Sequence, residues 1–238
     1  MAVRHQIGVM SKVASAFLIP DNHIGRATVS SVAVAHEVDL MGGRAIACLN
    51  ARDRNLLGFR RDLLTASTYN VDEFLLVFGD RPLSGKRTDE LSVRSMIEEL
   101  RDFSASVGHP FRAGVTSRLR PLPAWKTGAD FLFVQVSYVL DDLLRWREQL
   151  SFPGPVFAGI LVPPSAARAR KWAKDMPNFM VPGEWLTVLE RDAGAGVELA
   201  CELVMAVRDS GAFAGVHLVP GTRYRETASL LEGLLDAP

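Results

Sequence analysis

Short, continuous apolar runs alternate along this chain with longer stretches in which apolar residues return every three or four positions. The runs at residues 13–19, 44–49, 74–78, 111–115, 131–136, 156–162 and 215–219 predict strands. The stretches at 27–40, 54–69, 90–104, 141–150, 165–175, 184–190, 196–210 and 224–235 predict helices. In the 90–104 stretch, Val93, Met96, Ile97, Leu100 and Phe103 form one stripe of an amphipathic helix. Phe74 to Phe78 is apolar throughout, which suits a strand covered on both faces of a parallel sheet. Strand and helix alternate without a Gly/Ser-rich linker or a shift in composition, so the chain reads as one domain over residues 1–238 built from parallel βαβ units.

That pattern predicts an α/β fold, a TIM-type (β/α)8 barrel or the same barrel lacking its first βα unit. Seven strands are clear and an eighth is required for closure. The only candidate for it is the weak run 6–10. No G-x-G-x-x-G opens the first helix, which disfavours a dinucleotide-binding doubly wound sheet.

Charge and cysteine usage narrow the functional classes. Lys plus Arg and Asp plus Glu both number 27, so no net field draws the chain to nucleic acid or to an acidic membrane surface. Two cysteines, Cys48 and Cys201, make neither a disulfide framework nor a metal site. Residues 1–12 lack the apolar core of a signal peptide, and no apolar run is long enough to cross a bilayer. The expectation is a soluble cytoplasmic protein without metal, membrane or nucleic-acid partners.

Polar side chains collect just after the predicted strands, where barrel enzymes place their chemistry. Asp21 and Asn22 follow the first strand, Arg52, Asp53 and Arg54 the second, Gly79 and Asp80 the third, and Gln135 ends the fifth. Each has a plainer use: Asx residues make turns unaided, and the Arg52–Arg54 group suits a solvated helix start. An amide at Gln135 ends an apolar run, and its paired donor and acceptor suit the edge of a heterocycle. Tyr138 can pack or stack, and Arg223 can meet an anionic group or simply face water. His217 and Cys48 read as core residues.

Fragments along the chain, Val181-Pro182 and Gly196 to Ala200 in two late helices among them, resemble the methylenetetrahydrofolate reductase family. Cys48 with Arg52-Asp53-Arg54-Asn55 is similar to C-R-D-R-N, and Gly79-Asp80-Arg81-Pro82 to T-G-D-P-P. Pro20 to Arg26 is similar to a D-N-P-L-G-R segment, and Gly128-Ala129-Asp130-Phe131 with Gln135 and Tyr138 to G-A-D-F…T-Q-x-x-Y. Ala158 to Leu161 and Gly215 to Leu218, with Pro220, Arg223 and Tyr224, match late strands. The resemblance implies a hydride passed from NAD(P)H through FAD to 5,10-methylenetetrahydrofolate, in methionine biosynthesis and one-carbon metabolism. It implies Asp80 and Gln135 as catalytic residues and Asn22, Cys48, Gly79 and Ser95 as flavin contacts. Folate would meet Asp80, Gln135, Tyr138 and Arg223.

The sequence departs from the family in particular places. The F-E-F-F-P-P strand and its acidic glutamate have no counterpart, since no glutamate precedes Glu37. Residues 116–127 are too few for the family's flavin-phosphate helix, Phe78 replaces a threonine or arginine, and Ala166 replaces an aromatic. Two expectations follow: a folate-dependent oxidoreductase, or a catalytically impaired folate-binding homologue. Its partners would be a reduced folate and either a second copy of the chain or a longer homologous reductase subunit.

Overall fold

The computed structural model describes residues 2–175 and 180–236. Seven parallel strands alternate with helices among them, an α/β barrel-like fold with fewer than eight βα units. The chain falls into two compact units, residues 1–116 with 123–131, and residues 117–122 with 132–238.

The first unit opens with helix α1 (Ala2–Met10), followed by β1 (Phe17–Ile19), α2 (Ser31–Leu40), β2 (Ala45–Asn50), α3 (Leu56–Thr68), β3 (Glu73–Val77), α4 (Val93–Val107) and β4 (Arg112–Ser117). The strands pair in chain order, with Phe17 opposite Ala45, Ala47 opposite Phe74, and Leu75 opposite Gly114. Leu49, Phe74 and Leu76 are fully buried, as are Phe59 and Leu63 on α3. This is the covered, continuously apolar parallel strand that the sequence pattern requires. Helix ends are set locally: the Asn55 side chain accepts from the Gly58 N–H to start α3, Ser92 and Ser95 form a reciprocal cap on α4, and Gly108 closes α4 at φ 62°. Gly114 is small for a packing reason, because a Cβ there would lie 1.9 Å from the Phe131 ring.

Residues 6–10, the candidate for an eighth strand, belong instead to helix α1. A strand would send Ile7 and Met10 to opposite faces, whereas a helix brings residues three apart onto one. Both are buried on α1, which packs on α2 and is tied to it by a 2.7 Å ion pair between Arg4 and Glu37. At the entry end of β3, Glu73 is buried between Arg44 and Arg112 with contacts of 2.7 Å to each.

The second unit carries β5 (Phe131–Val134), α5 (Leu140–Gln149), β6 (Val156–Leu161), α6 (Ala166–Asp175), α7 (Gly183–Arg191), α8 (Gly196–Asp209), β7 (Gly215–Val219) and α9 (Tyr224–Asp236). Strand pairing again follows chain order, with Leu132 opposite Val156 and Gly159 opposite His217. Ala200, Cys201, Leu203 and Val207 give α8 a buried face against β6 and β7. A Cβ on Gly159 would meet the Val134 carbonyl oxygen at 2.4 Å, so this close strand approach requires glycine. No helix among the described residues is long and apolar enough to cross a membrane.

Candidate functional site

Parallel pairing of β1, β2 and β3 brings their C-terminal ends side by side, and with them the polar residues that follow. Asp21 is the anchor. Its side chain is only 4% exposed, and one oxygen, Oδ2, accepts from the Asn50 backbone N–H at 3.0 Å, the Asn50 Nδ2 at 2.6 Å and the Arg54 Nη1. Arg54 also donates from Nε to Asp62 at 2.8 Å, so its guanidinium is shared between two carboxylates. Burial acts to lower the Arg54 pKa, but the hydrogen bond and charge of Asp21, joined by those of Asp62, outweigh it and raise it.

Asn50 is the pivot of the cluster. Its Oδ1 accepts from the Asp53 N–H at 2.9 Å while its Nδ2 serves Asp21. Gly79, at φ 94°, lies against it, and a Cβ on Gly79 would sit 3.0 Å from the Asn50 Cβ. Arg52, 2% exposed, forks onto Asp53 with two bonds of 2.7 Å. Hydrogen bonding from Arg52 is the largest of several influences that hold the Asp53 carboxyl below the usual carboxylate range; the Asn22 amide at 3.0 Å adds to it. The third nitrogen of Arg52, Nη1, is buried without a hydrogen-bond partner among the described residues.

Asp80 stands at the exposed side of this cluster. Its Oδ2 accepts from the Ile24 N–H at 3.0 Å, and the Leu83 N–H donates to the Gly25 carbonyl at 3.0 Å, so the loops after β1 and β3 are clasped together. The β1 loop holds Asn22, Ile24 and Gly25 at positive φ. For a β-branched residue such as Ile24, φ 57° is a disfavoured backbone state of the kind that collects at functional sites. Ile24 is 60% exposed, and Phe78 and Leu83 are exposed as well, so the two clasped loops carry exposed apolar side chains along with the Asp80 carboxylate.

The residues assigned to flavin by resemblance all fall in this unit, and their donor set does not fit that group. The Asn22 amide is turned inward, with Nδ2 donating to Asp53 and Oδ1 accepting from the Thr28 N–H. The Ser95 hydroxyl is spent in the α4 cap with Ser92. The Cys48 thiol is buried on β2, and burial, aided by the Asp21 charge, pushes it up to about 12. Gly79 is occupied in making room for Asn50.

In the second unit, Gln135 caps β5 with its N–H on the Ser117 carbonyl at 2.8 Å. Its side chain is exposed and makes no hydrogen bond among the described residues. Tyr138 is buried with Ala166, Ala169, Val181 and Leu189, and its ring meets Trp185 edge-on at 5.1 Å. Burial raises its phenol well above the ordinary value. Arg223 is half-buried and reaches the Ala193 carbonyl at 3.4 Å. His217, also half-buried, faces the edge of Phe133 at 5.3 Å, and loss of hydration lowers its pKa to about 4. Asn50 stands outside the sequence motifs, yet an amide ending an apolar strand, the signal at Gln135, marks it equally.

No family model and no curated protein matches the chain. Among solved structures, it is similar to an uncharacterized protein from Clostridium thermocellum that binds two copies of 5-methyl-5,6,7,8-tetrahydrofolic acid. The TM-score is 0.68 at 13% identity, over 98% of this chain and 87% of that one. Concanavalin B (TM-score 0.49, 11% identity, 96% and 91% covered) and a chitinase from Ipomoea carnea (0.46, 10%, 91% and 98%) are too distant to carry an argument. At 13% identity the first likeness establishes the barrel-like fold and nothing finer.

Proposed function

We propose that this protein binds a reduced folate. The supporting observation is the likeness, over nearly its whole length, to a folded chain that binds 5-methyltetrahydrofolate. The chemistry at the strand ends is compatible with it. Asp80 offers an exposed carboxylate, and the clasped loops that hold it also carry exposed Ile24, Phe78 and Leu83, a mixture that suits a flat heterocycle carrying N–H donors. Gln135 offers an uncommitted amide of the kind that reads a pterin edge. Calorimetric titration with 5-methyltetrahydrofolate tests the reading. Measurable affinity is expected, with a loss of about 1–2 kcal/mol in Gln135→Ala, the worth of one hydrogen-bonded edge contact. Unchanged affinity in the variant removes Gln135 from the site, and absence of binding to the native protein removes the function.

The narrower reading is a methylenetetrahydrofolate reductase-like oxidoreductase, taking hydride from NAD(P)H through FAD. It rests on the sequence fragments alone, and the inward-turned Asn22 amide and the Ser95 hydroxyl taken by the α4 cap favour instead a folate-binding homologue that serves as partner to a longer reductase. Absorbance near the flavin bands in the purified protein, restored by added FAD, would return the oxidoreductase to first place.

A further inference from the structure

The connection from β4 to β5 holds a 3-10 turn, Ala124–Gly128, and no α-helix, whereas each of the other strand connections carries at least one. Helix α5 follows β5. Its residues Asp142, Arg145, Trp146 and Gln149, spaced as i, i+3, i+4 and i+7, share one face. That face is one wall of a groove of about 620 Å³, and the chain from Leu119 to Leu122, just after β4, is the other. Both walls belong to the second unit. They are tied together where the Trp146 Nε1–H donates to the Arg120 carbonyl at 2.8 Å. That bond spends the polar atom of the indole and leaves its ring as apolar lining. Leu119, Leu122 and Leu150, each half-buried, extend the lining. Charge in the groove is unbalanced. Arg145 is neutralised by Asp142, its ion-pair partner. Arg120 is exposed, and among the described residues its guanidinium makes no ion pair or hydrogen bond.

We infer that this groove binds a small apolar monocarboxylic acid, its ring system on Trp146 and the leucines and its carboxylate on Arg120. The volume lies within the range of about 300–1,000 Å³ usual for small-molecule sites. One unmatched guanidinium suits one carboxylate, which it can grip through two parallel N–H donors. A second anionic group would have to compete with Asp142 for Arg145. The body of the ligand gains by leaving water for an apolar lining whose one N–H is already satisfied. The groove shares no residue with the positions that carry the folate reading, and it stands whether or not that reading holds.

The probe is naphthaleneacetate, compared with its neutral amide and with the cation naphthalenemethylamine. Each is titrated into isotope-labelled protein while the indole N–H signals of the four tryptophans are followed by NMR. The Trp146 signal is the one absent from Trp146→Phe. Naphthaleneacetate should shift that signal saturably and bind about three- to fivefold more tightly than the amide, the worth of one exposed ion pair. The amine should bind more weakly than the amide. In Arg120→Gln, acid and amide should bind alike, with the affinity for the amide kept. Gln149→Glu, which adds an anion to the same wall, should weaken the acid about threefold and spare the amide. Both positions are exposed, and matching thermal melts will verify that the variants fold. Equal affinity of the native chain for acid and amide, a preference that survives in Arg120→Gln, or no saturable shift at millimolar probe overturns the inference. Displacement of the probe by 5-methyltetrahydrofolate also overturns it, by giving the groove to the folate. So does a Trp146 signal that moves when the chain alone is diluted, the mark of a second copy seated there.

Discussion

Replacement of Asp21 separates charge from hydrogen bonding at the centre of the strand-end cluster. All three bonds to this carboxylate arrive at one oxygen, Oδ2: the Asn50 N–H, the Asn50 amide and Arg54. An asparagine with its carbonyl in the same place can accept all three and lacks only the negative charge. Alanine removes the acceptor as well, leaving a buried backbone N–H and a buried amide N–H unmatched. Breaking a buried ion pair costs about 3–5 kcal/mol, but Arg54 retains Asp62, so the lower end applies to Asp21→Ala, about 3 kcal/mol. Asp21→Asn should cost less than half of that. At a urea dependence of about 3 kcal/mol/M, the alanine variant should unfold about 1 M earlier and the asparagine variant less than 0.5 M earlier. Urea titrations followed by tryptophan fluorescence and by circular dichroism measure both shifts. If the two variants are equally destabilised, hydrogen bonding at Oδ2 is not what Asp21 contributes. If neither is destabilised by more than 0.5 kcal/mol, the cluster does not hold the strand ends together.

Other outcomes follow from single positions. Gly25→Ala should destabilise the chain by about 1–3 kcal/mol, because φ is 69° there and a Cβ would meet the Arg81 carbonyl oxygen at 2.1 Å; its urea midpoint should fall, and an unchanged midpoint would mean the clasp between the loops yields freely. His217 has a folded pKa of about 4 against an ordinary 6.5, so the unfolded chain binds the extra proton between these values. Its stabilising contribution is therefore complete above pH 6.5 and is lost as pH falls towards 4, and urea midpoints at pH 7.5 and 5 should differ more in the native chain than in His217→Phe. Equal differences would place the pH sensitivity elsewhere.

Much of this fold is local in origin and was legible from the order of residues alone. A continuous apolar run is satisfied between two covering layers, as in β3, and Gly215–Val219 forms β7 with the bounds its sequence predicts although each of its residues is only partly buried. Periodic apolar positions likewise place α8 and α9 within a residue of expectation at each end. Where the signal was short, it misled: residues 6–10 carry too few apolar positions to tell a strand from one helical face, and contact with α2 decided for the helix. The strand-end location of Asp21, Asn22, Arg52 and Asp80 within the first unit was visible in sequence because a parallel βα repeat sends the loop after each strand to one end. What each side chain does there was not visible. Asp21 and Asn50 are 29 residues apart, Asp21 and Arg54 are 33 apart, and Asp80 meets Ile24 across 56. No local preference encodes those partners, since strand pairing has to be complete before the groups meet. The same closure sets the Asn22 amide on Asp53, whereas the Ser95 hydroxyl is taken locally by the α4 cap; Gln135 and the outward carboxylate of Asp80 face water.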